Sequence, residues 1–230
     1  MLKKIIDAWK SKGLLVDVFS KFQAMLDETE EMFDSVHAIF FERKEVDPDI
    51  KLFKTDIHVN KAERKVRKKI VEHLAIRPDI DMPSCLILMS IVKDTERVGD
   101  YCKNLFQAYR VAGCTEITDG YKDSFRNIHE TISALFSETK NAIAEHSEDL
   151  GKDVIIKQAD LAEQCDKLID RIAQEKKMDT SKAVGYALMS RHYKRIGSHL
   201  ANIATSVVVP VHKIDFYYEK GDDKKKHYIK

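Results

Sequence analysis

Apolar residues return at every third or fourth position along nearly the whole chain, and nowhere do they alternate as a half-buried strand requires. The first stripe, from Leu15 and Val18 through Phe22, Leu26 and Phe33 to Phe40, predicts a helix from about Leu14 to Phe41. It must stop before Asp47-Pro48, because the residue preceding proline is pushed out of the helical region. A second stripe, carrying Phe53, Val59, Val66 and Ile70, predicts a helix from about Ile50 to Ile76. A third begins with Pro83 in its first turn, where the missing N–H matters little, and ends at Gly113. The pattern then recurs. Asp119–Glu148 reads as a fourth helix broken by Gly151, and about Asp153–Lys177 as a fifth. A sixth opens at the N-cap cluster Asp179-Thr180-Ser181 and is stopped by Pro210. The expected class is therefore all-α, with six long helices.

Six helices in two sets of three suggest a duplicated unit, and the third and sixth carry its trace. Arg97-Val98-Gly99 and Asn104 overlie Arg195-Ile196-Gly197 and Asn202 at an offset of 98. The second and fifth helices match at an offset of 104, which implies a shorter loop before the sixth. A glycine inside a helix costs about 1 kcal/mol against alanine, so its place in both copies suggests a close helix approach. The expected organisation is two tandem three-helix bundles, 1–115 and 116–210, followed by a polar tail, 211–230.

Composition narrows the chemistry. Lys and Arg number 39 and Asp and Glu 38, with a net charge of +1, so the large basic excess of a nucleic-acid-binding domain is missing. With 43% apolar residues the chain can bury a core, and 8 Gly and 4 Pro suit helices better than turn-rich β structure. Cys85, Cys102, Cys114 and Cys165 show no CxxC spacing and fit a reducing compartment. No run approaches the length of a transmembrane segment, and charges interrupt the first twenty residues, which speaks against a signal peptide. A cytoplasmic protein is expected. Phosphate-loop, dinucleotide, nucleophile-elbow and HExxH signatures are missing, and no catalytic constellation emerges.

Two carboxylates on the third helix stand out. Glu96 and Asp100, four apart, share one face, where like charges repel by a few tenths of a kcal/mol unless a cation lies between them. Asp56, Asn60 and Glu63 share one face of the second helix. If the two helices pack as an antiparallel hairpin, these faces converge into an oxygen-rich cluster of a kind that suits Mg²⁺, Mn²⁺, Ca²⁺ or iron. The alternative is a set of solvated carboxylates on helix flanks.

Thr95-Glu96-Arg97-Val98-Gly99-Asp100, followed by Asn104, resembles the E/DxxxD signature of the PhoU family. Asp56-Ile57-His58-Val59-Asn60-Lys61-Ala62-Glu63, then Arg77-Pro78, is similar to that family's partner helix. The resemblance covers about Leu14 to Pro210. It implies a non-enzymatic regulator of phosphate uptake and signalling that contacts a phosphate transporter subunit or a sensor histidine kinase, with homodimerisation and peripheral membrane association compatible with it. It further implies metal ligation by Glu96, Asp100, Asp56, Asn60 and Glu63, the ion being iron, zinc, manganese or magnesium. Competing readings are a metal-free helical scaffold associated with a sodium–phosphate cotransporter and, behind it, a di-metal helical-bundle enzyme.

The second repeat departs from the pattern. Lys194 and Ser198 replace the two carboxylates, so metal binding is expected only in the first repeat, although Asp160 and Gln164 remain on the fifth helix. His192 and His199 are expected as a structural pair. Asp27, Glu30, Glu31 and Asp34, with His37 beyond, read as a solvated acidic face rather than a di-iron site. Lys224-Lys225-Lys226 reads as a solvated terminus.

Overall fold

A computed structural model of the chain describes residues 13–42, 48–76, 78–113 and 116–216. Among these residues six long helices account for nearly everything: α1 (Gly13–Phe41), α2 (Pro48–Ile76), α3 (Pro78–Val111), α4 (Asp119–Glu145), α5 (Glu148–Gln174) and α6 (Thr180–Val208), with no strand. A short 3-10 turn, Val211–Lys213, follows. Cys114, Arg77 and the Lys224–Lys226 cluster lie outside the described residues.

Helices α1, α2 and α3 pack on one another, as do α4, α5 and α6. The two bundles meet chiefly where α3 lies along α6, with a slighter contact of α1 with α4. Ala112 lies against Gly185, Tyr101 stacks near His192 and His199, and Asp94 reaches Asn202, so α3 and α6 run antiparallel. Phe22, Phe33, Val59, Ile70, Leu88, Val98 and Leu105 fill the first bundle, and Phe125, Leu135, Phe136, Leu161, Tyr186, Tyr193 and Leu200 the second. They form one continuous apolar core across the seam. Aromatic rings join the bundles there: Phe33 stacks on His129 at 3.9 Å and stands edge-on to Tyr193 at 6.1 Å.

Several boundaries differ from the sequence expectation. Helix α3 begins at Pro78, so Pro83 lies inside it rather than at its start. The break between α4 and α5 is not Gly151 but His146, left-handed at φ 54°, followed by the Ser147 cap that accepts from the Leu150 N–H. Gly151 sits inside α5, and α6 passes so close that a Cβ there would meet the side chains of Val207 and Val208 at 2.7 and 2.6 Å. The loop before α6 is longer than the one before α3, not shorter: residues 175–179 against residue 77 alone. The register difference between the repeats is taken up by longer helices in the first. The Asp179 cap holds as expected, accepting from Ser181 N and Lys182 N at 2.9 and 3.3 Å. Of the predicted tail, Ile214 packs into the core and Asp215 N donates to Thr205 Oγ1.

Candidate functional site: the carboxylate seam between α2 and α3

Helices α2 and α3 form the expected antiparallel hairpin, and their facing edges carry Asp56, Asn60 and Glu63 against Glu96 and Asp100. The 3.6-residue repeat puts Asp56, Asn60 and Glu63 next to the buried stripe of Leu52, Val59, Val66 and Ile70, which draws them down into the hairpin. Asp56, Glu63 and Glu96 are at most 9% exposed.

What the carboxylates meet there is lysine ammonium and arginine guanidinium. Lys103 Nζ donates to Asp56 Oδ2 at 2.8 Å and lies 2.9 Å from Asp100 Oδ1, joining the two helices. Lys93 Nζ lies 2.7 Å from Glu96 and 3.8 Å from Glu63. Arg67 pairs with Glu63 at 3.0 Å, and Arg97 lies 3.6 Å from Asp100 and 3.9 Å from Glu96. Four carboxylates are thus matched by four cations. Burial alone would lower the Lys103 pKa, but its bonds to Asp56 and Asp100 outweigh that and raise it, so the ammonium stays charged. The spacings Lys93–Glu96, Arg97–Asp100, Asp100–Lys103 and Glu63–Arg67 are all i,i+3 or i,i+4. The sequence therefore contained this signal, and a reading directed at the acids alone passes over it.

The donor set suits a hard cation: four carboxylates and one amide, all oxygen, with no thiol or imidazole. One atom marks where it would sit. Asp56 Oδ1 is buried without a hydrogen-bond partner, while Asp56 Oδ2 accepts from both Lys103 and Asn60. A buried carboxylate oxygen left unpaired carries a desolvation penalty, which an ion exchanging for the Lys103 ammonium would relieve. Among the described residues no three His, Cys, Asp or Glu side chains are gathered closely enough to hold an ion as they stand. An ion at Asp56 and Asp100 would have to take the place that the Lys103 ammonium holds between them.

Gly99, between the two acids, does not mark a close approach: a Cβ there would have its nearest neighbour, Thr29 Cγ2, at an ordinary 3.5 Å. Its counterpart Gly197 does, with Leu161 Cδ2 only 2.6 Å away.

The equivalent seam of the second bundle has a different chemistry. Lys194 forms an ion pair with Asp166 at 2.6 Å, and Gln158 Nε2 donates to Ser198 Oγ at 3.2 Å. Asp160 and Gln164, the residues carried forward from sequence, are exposed and turned away from it. His192 and His199 flank the Tyr101 ring across the α3–α6 seam, with centroids at 5.8 and 5.5 Å, and His199 Nδ1 lies 2.7 Å from Asp94 Oδ1. They belong to the join between bundles, as a structural pair would. The acidic edge of α1 is likewise only partly solvated: Lys140 of α4 bridges Asp27 and Glu30.

Two three-helix bundles joined along α3 and α6, each built on a hairpin with a polar seam, define a duplicated all-helical bundle protein. A profile of the PhoU domain matches residues 22–108 and 125–207, most of the chain, and the chain belongs to the PhoU family. The chain is 29% identical over 128 residues to the phosphate-specific transport system accessory protein PhoU homolog 1 of Thermotoga maritima. That match takes in 53% of this chain and 50% of the relative, so the chain spans about half the length of the curated relative it matches. Its fold is that of PhoU from Pseudomonas aeruginosa, with a TM-score of 0.75 at 22% identity over 85% of this chain and 95% of that one. The phosphate transport system regulatory protein PhoU from Streptococcus pneumoniae gives 0.73 at 14% identity, over 84% and 92%.

Proposed function

We propose that the protein is an accessory regulator of phosphate uptake that works by contact with a membrane transporter subunit or its sensor kinase, not by catalysis. One observation carries this reading: both PhoU repeats are present and together occupy most of the chain. A family member named as a phosphate-transport accessory protein supports the same direction. Affinity capture from membranes of cells grown in phosphate excess and in starvation tests it. Recovery of a phosphate transporter subunit or sensor kinase, changing with phosphate supply, is expected. Recovery of neither in both states would contradict it.

Within that role, Asp56, Asn60, Glu63, Glu96 and Asp100 would hold one hard divalent ion in the first repeat. The all-oxygen donors favour magnesium, manganese or ferrous iron over zinc. Such an ion would supply a fixed positive charge clamping α2 to α3, the part Lys103 plays without it. The second seam, with Lys194 among its residues, would hold none. The unpartnered Asp56 Oδ1 favours this over the metal-free scaffold.

A further inference from the structure

Helix α2 has a second face, turned away from the carboxylate seam. Lys54, Lys61 and Lys68 recur every seven residues along its centre, with Arg64 and Lys65 beside them, and all five are exposed. Seven residues is close to two helical turns, so the three lysines form a row about 21 Å long on one side of a straight helix. Of the described residues of α2 the acid on this face is Glu72, 3.7 Å from Lys68, and at its edge Glu28 of α1 lies 3.9 Å from His58. Asp56 and Glu63 are turned inward to the seam. The chain as a whole carries a net charge of +1, so this basic excess is local to one helix side.

Two apolar side chains complete the face. Ile57 is 50% exposed and Val71 60%, and both flank the lysine row. Helices α1 and α3 pack on α2 and cover its opposite side.

We propose that this outer face of α2 docks on an anionic lipid surface. Charge complementarity identifies the partner. A row of lysines on a helix is attracted to acidic headgroups, their stems lie along the interface, and the flanking Ile57 and Val71 enter the headgroup boundary. A duplex polyanion fits less well: exposed isoleucine and valine find nothing apolar in a phosphate backbone, and the chain lacks the overall basic charge such partners select. No helix of the described residues is long and apolar enough to cross a membrane, so attachment is to its surface. This goes beyond the regulatory reading and stands without it, because lipid vesicles contain no transporter.

Cosedimentation of the full chain with phosphatidylcholine vesicles containing about one-third phosphatidylserine, beside pure phosphatidylcholine vesicles, tests it. The protein should pellet with the anionic vesicles alone, and molar salt should release it by screening exposed charges. Each basic residue near such a surface strengthens binding about fivefold, so K54A/K61A/K68A should weaken it about a hundredfold. Lys61→Glu alone should weaken it about twentyfold, and K54R/K61R/K68R should leave it unchanged. All variants retain the Lys224–Lys226 tail, so the losses report on α2. Equal pelleting with neutral vesicles, undiminished binding by folded K54A/K61A/K68A and K61E, or capture of a duplex oligonucleotide in preference to the vesicles would overturn the proposal.

Discussion

The His129 ring lies in the core at 2% exposure, stacked on Phe33 and with Nδ1 3.3 Å from the Tyr193 hydroxyl. Burial, assisted by the charge of His37, pushes its pKa down from 6.5 to about 2. The folded pKa lies below the unfolded one, so the unfolded chain binds the extra proton. Stability is therefore complete above about pH 6.5 and is lost as pH falls below it, at up to about 1.4 kcal/mol per pH unit from this group. Urea unfolding across that range should show the acid-side loss, and His129→Phe, with a ring of similar shape, should flatten it by about one proton. At the same scale, Asp56, Asn60, Glu63, Glu96 and Asp100 were legible as a converging set, because helical spacing alone brings each trio or pair to one face. Their counter-ions were equally legible at i,i+3 and i,i+4. What the sequence could not supply was the cross-helix partner: that Lys103 meets Asp56 as well as Asp100 depends on the register between α2 and α3.

Helices show the same division. The stripes of α1 to α6 and the Asp179 cap followed from periodicity and N-cap chemistry, which are local. Glycines misled because two physical reasons produce the same residue. Gly151, expected to break a helix, permits the close passage of α6 over α5, and Gly99, expected to permit close passage, has room for a methyl group. Gly185 was not singled out, yet it makes the tightest crossing: a Cβ there would meet the Ala112 backbone nitrogen at 2.5 Å. Backbone cannot yield as a side-chain tip can, so Gly185→Ala should destabilise the join of α3 and α6 by about 1–3 kcal/mol. Gly99→Ala should be neutral or stabilising by up to about 1 kcal/mol, because helix propensity improves and nothing clashes. Denaturant melts of the two single variants check both expectations, and a larger loss for Gly99→Ala would reverse the packing argument.

Across the whole molecule, the near-equality of 39 basic and 38 acidic residues conceals a strong local order. One bundle gathers four carboxylates and four cations in its seam and places lysines on the outer side of α2. The other has reduced its seam to an Asp166–Lys194 pair and a Gln158–Ser198 hydrogen bond. The duplication was readable from Arg97-Val98-Gly99 against Arg195-Ile196-Gly197, and so was the loss of the second carboxylate pair. That the bundles join through α3 and α6, with Tyr101 between His192 and His199, required the fold, because no local pattern encodes which helices meet. On the proposed reading, a cation would clamp one repeat and leave the other to its own Asp166–Lys194 ion pair.

Thermal melting with and without added Mn²⁺, for the natural chain and for Glu96→Gln/Asp100→Asn, tests that asymmetry most directly. An ion that binds only the folded state at a hundred times its Kd contributes about 2.7 kcal/mol. For a chain of this size that is a Tm rise on the order of 5–10 °C. The account predicts this rise in the natural chain and none in the double variant, with a stoichiometry of one ion per chain. A flat Tm in both proteins, or an equal rise in both, would contradict it.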